Sequence, residues 1–443
     1  MPGALLTDLY ELNMAASYLH RGMDALATFS LFVRTLPANR GFLVAAGLEP
    51  CLEFLEDFGF EEEDLPYLAD ALGYDEATIE AFRDLRFTGD VWAVPEGRIV
   101  TADEPLIEIT APIAVAQLVE TYLLNVITFQ TTIASKAARC RIAANGKDLV
   151  DFAFRRTQGI DAAMAVARCT AMVGFVATSN VEAARRYGLR VAGTMAHSYI
   201  QSFPSEADAF RAFAQDFPDR TTFLVDTYDT INGVRSAIEV IREMGLADRL
   251  GVRLDSGDLD ALSREARRTL DEAGLPHVRI FASGGLDEED VERLVRAGAP
   301  IDAFGVGTRI GVSADAPYLD SAYKLVEYDG RAVLKLSEAK ATEPGRKQVF
   351  RRPGGDVIGL RDEPGPTGAE PLLVPVMQAG RRTGPPRTLD GARRLFERDL
   401  ERLPETARRL AAPEPPKAIF SEALERLTRE TRAEALRRAG VRA

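Results

Sequence analysis

The chain has 443 residues, 46% of them hydrophobic and 27% charged, which is the composition of an ordinary globular protein too long for a single core, so two domains are expected. A formal net charge of −13 argues against nonspecific binding to nucleic acid or to an anionic membrane, while leaving room for a locally positive pocket that takes a small anion. Three widely spaced cysteines (Cys51, Cys140, Cys169) make neither a disulfide framework nor a zinc motif and fit a reduced, cytoplasmic compartment.

The first residues lack the basic and apolar regions of a signal peptide, and no apolar stretch is expected to approach bilayer-spanning length. Residues 1–115 mix helical patterns (Leu5–Leu19, Gly47–Phe58, Asp75–Arg83) with β-type runs (Leu26–Val33, Gly89–Ala93, Pro105–Ile109), the last two resembling a meander. Leu118–Phe129 reads as a buried helix leading into the next region.

From about Leu149 to Thr308 short apolar runs alternate with amphipathic helices. The runs are Leu149–Phe154, Val173–Ala177, Leu189–Ala192, Thr222–Val225, Leu250–Leu254, Val278–Ala282 and Ile301–Val306. The helices are Asp161–Met172, Ala207–Phe217, Asn232–Met244, Leu259–Ala273 and Glu288–Ala297. Ser179 and Glu182 have capping-box spacing ahead of another helical stretch, and Gly188, Gly245, Gly274 and Gly298 punctuate helix ends. Such alternation predicts parallel strands joined by right-handed crossovers. Polar residues cluster just after the strands, which favours an irregular α/β barrel of about seven strands, left incomplete, over an open sheet.

After Lys324 come further β-type runs (Leu325–Tyr328, Ala332–Leu336, Gln348–Arg352, Leu372–Met377), then charged helices over Leu389–Leu403 and Ser421–Arg438. The expected organisation is 1–115 and 324–443 as one α/β domain with a helical tail, interrupted by a barrel at 116–323.

The strand-end residues carry the candidate chemistry. His197, one of three histidines in the chain, follows an apolar run and a Gly-Thr turn, with Thr194 and Ser198 beside it. An imidazole there suits acid/base or nucleophilic work, or simply hydrogen-bonds a loop. Ser283-Gly-Gly285 and Gly305-Val-Gly-Thr308 follow late strands, where glycine lets backbone N–H groups approach a phosphate; tight turns would look the same. Asp226 and Asp255 suit ribose hydroxyls or a water-clad Mg2+, whereas Asp229 and Asp258 read better as helix N-caps. Arg253 alternates to the same side as Asp255 and is placed to grip a carboxylate. Neither a dinucleotide fingerprint nor a Walker A sequence is present, and a serine hydrolase built on His197-Ser198 would lack its nucleophile elbow.

Taken together, Leu5-Leu-Thr-Asp-Leu-Tyr-Glu-Leu-Asn-Met14, Asp151-Phe-Ala-Phe-Arg-Arg-Thr-Gln-Gly159, Phe175-Val-Ala-Thr-Ser-Asn180, Ala192-Gly-Thr-Met-Ala-His-Ser198, Val252-Arg-Leu-Asp-Ser-Gly-Asp258 and Phe304-Gly-Val-Gly-Thr308 resemble the motifs of nicotinate phosphoribosyltransferases. The resemblance runs in order from residue 5 to about 352 and is thin beyond. It implies a type II phosphoribosyltransferase-like fold and a homodimer with sites at the subunit interface. It also implies ATP-coupled, Mg2+-dependent transfer of phosphoribosyl from phosphoribosyl pyrophosphate to nicotinate, in NAD salvage by the Preiss–Handler route. On this resemblance His197 is the residue phosphorylated by ATP, and Arg253, Asp255 and Asp226 complete the catalytic set. Arg253 and Thr194 would contact nicotinate, with Phe152 on one face of the ring and Tyr10 of the neighbouring subunit on the other. Thr308 with Ser283, Gly284, Gly285 and Gly307 would hold the 5′-phosphate, and Arg34, Arg155 and Lys324 further phosphates. Arg309 would be one more phosphate contact or a solvated side chain. Ser179 stands where nicotinamide-using relatives carry an aspartate, which favours the acid substrate. Quinolinate phosphoribosyltransferase would need additional basic residues, and a non-catalytic nucleotide sensor would be expected to have lost His197, Arg253 or Asp255. Some relatives carry a C-terminal cysteine zinc cluster; this chain has no cysteine after Cys169, so none is expected.

Overall fold

A computed structural model describes residues 3–247, 250–336 and 342–440. Its contacts divide the chain into two compact units, Met1–Thr132 with Tyr318–Ala443, and Ile133–Pro317. These limits differ from the expected 115/116 and 323/324. The reason on the first side is packing: Leu123 and Ile127 of helix Glu120–Ala144 share a core with Leu31 and Phe54, and Tyr122 stacks on Phe54 at 3.9 Å between ring centres. On the second side, strand Ser321–Tyr328 is an antiparallel partner of Leu26–Val33.

In the first unit both flanks supply one antiparallel sheet of seven strands. Its order is Arg331–Ala332, Ser321–Tyr328, Leu26–Val33, Pro105–Pro112, Asp90–Ala93, Val374–Gln378 and Arg381–Arg382. Leu26–Val33 is buried along seven of its eight residues, consistent with its central place. A four-stranded sheet of Glu370–Pro371, Lys347–Arg351, Val357–Leu360 and Ile419–Phe420 follows, with helix Glu422–Arg438 packed on it. Several expected limits shift. The first helix is Leu9–His20, since residues 4–7 form turns, and the run at 332–336 keeps only Arg331–Ala332 as strand.

The second unit is α/β, and its sheet is curled and wholly parallel. The order is Ala177–Thr178, Asp148–Asp151, Ala303–Val306, Arg279–Ala282, Gly251–Leu254 and Thr222–Leu224. The first strand in sequence thus pairs with the last, through Val150↔Gly305 and Asp151↔Val306, so the sheet bends round on itself. Six of the seven expected runs form strands. The seventh, Leu189–Ala192, contributes only a parallel bridge between Val191 and Thr178, and among the described residues nothing pairs across from it to Thr222–Leu224.

Local sequence explains the helices between these strands. Gly188 and Gly245 cap their helices in the left-handed region (φ 66° and 65°), where a side chain would be strained. Asp229 and Asp258 cap the next helices through their carboxylates, as expected. The expected capping box at Ser179 does not form. Asn180 is the cap, accepting from Ala183 N at 3.0 Å, because the Ser179 N–H is already donated to Asp151 O.

The continuous helical stretch Ile113–Ala144 corrects the expectation about apolar length, since by length and composition it is sufficient to cross a bilayer. Its charged residues argue that it is a core helix. Lys136 and Arg139, both buried, pair with Glu288, and Lys136 also reaches Asp315 at 2.8 Å. Buried charges persist when paired and hydrogen-bonded in this way.

Candidate active site

The C-terminal ends of the parallel strands gather the candidate residues of the second unit. Residues two apart on a strand face the same side, so Arg253 and the following Asp255 point together. Arg253 sits at the centre. Its Nε donates to Ser283 Oγ (2.7 Å), Nη1 to Thr194 Oγ1 (3.0 Å) and Nη2 to Asp255 Oδ1 (2.6 Å). Its guanidinium carbon lies 5.4 Å from the centre of the Phe152 ring. A guanidinium has five N–H groups, so one remains on each terminal nitrogen, a fork that matches a carboxylate.

Asp255 and Asp226 organise the neighbouring turns. Asp255 Oδ1 also accepts from Ser283 Oγ (2.6 Å), while its Oδ2 faces His197 Nε2 at 3.9 Å. His197 opens the short helix His197–Gln201, and its Nδ1 lies 3.1 Å from Thr227 Oγ1. The ring is held on both sides yet 40% of its side chain is exposed, so it is oriented and reachable. Asp226 Oδ2 accepts from Asp255 N (3.1 Å) and Ser256 Oγ (2.6 Å). Among the described residues its buried Oδ1 has no hydrogen-bond partner.

The glycine turns are dictated by close approach. At Gly284 φ is +101°, and a Cβ there would lie 1.8 Å from Asp255 O. At Gly307 a Cβ would lie 2.7 Å from Phe152 O. Gly285 has φ +73° with open space around it, and Thr308 is exposed at the start of the turn Thr308–Gly311. Ser283 differs from its expected place as a phosphate contact: it is 2% exposed, and its hydroxyl is committed to Arg253 and Asp255. Arg309 is half exposed and pairs with Asp287 and Asp290. Arg155 lies exposed on the turn Phe154–Arg156, with no acid on it among the described residues. Ser179 is half-buried beside the Asp151 strand end.

Three groups gain roles that sequence reading did not assign. Asp151 is buried and braces the Phe152 turn, accepting from Ala153 N (2.8 Å) and Thr178 Oγ1 (2.7 Å); burial raises its carboxyl above the usual range. Thr227 orients His197. Glu206 is pushed up to about 7, first by burial and then by repulsion from Asp226 and Asp229. Asp151 stood inside a recognisable motif and Thr227 follows Asp226 directly, whereas Glu206 had no sequence signal.

The remaining expected residues belong to the other unit. Tyr10 is half exposed and donates to Glu11 Oε1 at 3.0 Å. Arg34 pairs with Asp320 at 2.8 Å. Lys324 donates to Tyr323 O at 2.8 Å, and its charge opposes the burial that raises Glu120 to about 7.

An arginine fork over an aromatic ring, an oriented histidine and glycine turns at parallel strand ends define a site for small anionic substrates. Comparison with known proteins makes this specific. The chain matches the nicotinate phosphoribosyltransferase N-terminal domain over residues 5–128, the nicotinate phosphoribosyltransferase family over 148–348 and the corresponding C-terminal domain over 336–428. It is 49% identical to a nicotinate phosphoribosyltransferase of Mycobacterium tuberculosis, covering 92% of this chain and 89% of the relative. It is 45% identical to that of Bacillus subtilis, covering 81% and 76%. The crystal structure of human nicotinic acid phosphoribosyltransferase superposes with a TM-score of 0.86 at 30% identity, covering 96% of this chain and 99% of the other. The chain belongs to the nicotinate phosphoribosyltransferase family of enzymes.

Proposed function

We propose that the enzyme transfers phosphoribosyl from phosphoribosyl pyrophosphate to nicotinate, giving nicotinate mononucleotide and pyrophosphate in NAD salvage, and that ATP hydrolysis drives the transfer through phosphorylated His197. The observation that carries the reading is the fixed Arg253 fork. With three N–H groups tied to Ser283, Thr194 and Asp255, it keeps two for a carboxylate, and its guanidinium carbon lies over the Phe152 ring. Nicotinate bound there presents its ring nitrogen to the anomeric carbon. The new N–C bond forms as the C–O bond to pyrophosphate breaks, through an oxocarbenium-like state that the protein aids by positioning and charge neutralisation.

In this reading the N–H groups of Gly284, Gly285 and Gly307 with Thr308 take the 5′-phosphate, while Ser283 braces the arginine. Arg155, Arg34 and Lys324 serve further phosphates. Tyr10 comes from a second copy in a homodimer and closes the ring sandwich. Ser179 leaves the carboxylate end free of like charge. The curled sheet, with Val191 as its vestigial seventh strand, fits the incomplete barrel of type II phosphoribosyltransferases. The buried free cysteines suit a cytoplasmic protein.

Among the described residues no group of three or more potential ligands forms a metal cage. The unpartnered Asp226 Oδ1 fits a Mg2+ carried in by the phosphates and held through water. Such an ion supplies neutralisation of the departing pyrophosphate.

The coupling is tested with labelled ATP. Wild-type protein should acquire acid-labile phosphate and make mononucleotide faster with ATP. His197→Ala should lose both the label and the stimulation while keeping a slow transfer. Label on the variant at the wild-type level would refute the role of His197.

A further inference from the structure

A cavity of about 370 Å³ opens at the other end of the parallel strands, away from the candidate site. Arg190, Thr222, Gly251, Arg279, Phe281 and Ala303 are among its lining residues. Thr222, Gly251, Arg279 and Ala303 each begin a strand, and Arg190 immediately precedes the Val191 bridge. The cavity therefore spans the seam where the curled sheet fails to close, between Val191 and Thr222–Leu224. Strand alternation places it one layer below the site, with Gly251 under Arg253 and Phe281 under Ser283.

Its charge is not balanced. Arg279 is already paired, donating to Asp148 Oδ2 at 2.8 Å. Arg190 is exposed, and among the described residues no acid lies on its side chain. The rest of the lining is mainly apolar, from Phe281 and Ala303, with Thr222 as a further polar side chain. One unpaired guanidinium above a compact apolar space of this volume suits a ligand with one negative charge and a flat apolar body.

We propose that this seam cavity is a second binding site, for a compact aromatic monocarboxylate, distinct from the Arg253 site. The two sites touch through a ring pair, since Phe281 lies 5.6 Å from Phe152, the ring beneath Arg253. A ligand in the cavity holds Phe281 and thereby the floor of the upper site. The inference rests on the cavity and its charge, so it stands or falls separately from the proposed reaction.

The test uses 4-fluorobenzoate followed by fluorine NMR, in which two environments give two bound resonances. Wild type should show a bound resonance in the millimolar range that persists in Arg253→Gln. Arg190→Gln should weaken it about tenfold, the loss of one charge-assisted contact. Arg190 is exposed, so that variant should melt with the wild type, and a crystal soaked in 4-iodobenzoate should place iodine in the seam. Absence of binding to wild type, unchanged affinity in Arg190→Gln, or iodine only beside Arg253 would each overturn the proposal.

Discussion

Arg253→Ala is expected to lower kcat/KM for nicotinate by about a thousandfold, on the order of 4 kcal/mol. Two losses combine. The substrate carboxylate loses its bidentate partner, and Asp255, Ser283 and Thr194 lose the donor that orders them. Asp255 is then a half-buried carboxylate without its cation, beside His197. Arg253→Lys should recover little, because a single ammonium cannot meet three acceptors in a plane and still offer a fork. Steady-state kinetics on both variants checks this. If lysine restored more than about a tenth of wild-type activity, the fork geometry would not be what the site requires.

Gly284→Ala should be the most damaging substitution of a single hydrogen by a methyl group. The residue sits at φ +101°, and its new Cβ would meet Asp255 O at 1.8 Å, a backbone atom that cannot swing aside. The strand end carrying Asp255 must move, at a cost of about 3 kcal/mol or more in stability, with loss of activity. Its neighbour provides the control. Gly285 is at φ +73° with nothing in the way, so Gly285→Ala should cost only about 1 kcal/mol. Urea unfolding of the two variants separates the effects; equal destabilisation would mean that strain in φ, and not the contact with Asp255, sets the requirement for glycine.

Much of the second unit was legible because short-range rules decide it. Gly188, Gly245, Asp229 and Asp258 act locally, and each does in the structure what its residue type favours. The β-α alternation likewise located six strands to within a few residues. The site core around Arg253 was legible because a charge inside an apolar run demands a partner.

What escaped depends on tertiary context. Leu189–Ala192 has the residues of a strand, but among the described residues it meets its neighbour only at the single bridge between Val191 and Thr178, too short a contact to extend into a ladder. The Ser179–Glu182 spacing was right for a capping box, yet Asp151 O had already taken the Ser179 N–H. Lys136 and Arg139 were invisible as core residues, since no local pattern foretells that Glu288 arrives from 149 residues away to meet Arg139. The commitment of Ser283 to Arg253 rather than to a phosphate is of the same kind: sequence supplies the hydroxyl, and the fold decides its partner.

The central claim is that Arg253 and its surroundings select a pyridine carrying one carboxylate. Its most direct test is mononucleotide formation from nicotinate, nicotinamide or quinolinate, each with phosphoribosyl pyrophosphate, with and without ATP. Nicotinate should be used fastest and should be the acceptor whose turnover ATP stimulates. Faster turnover of nicotinamide, or of quinolinate with release of carbon dioxide, would contradict the account.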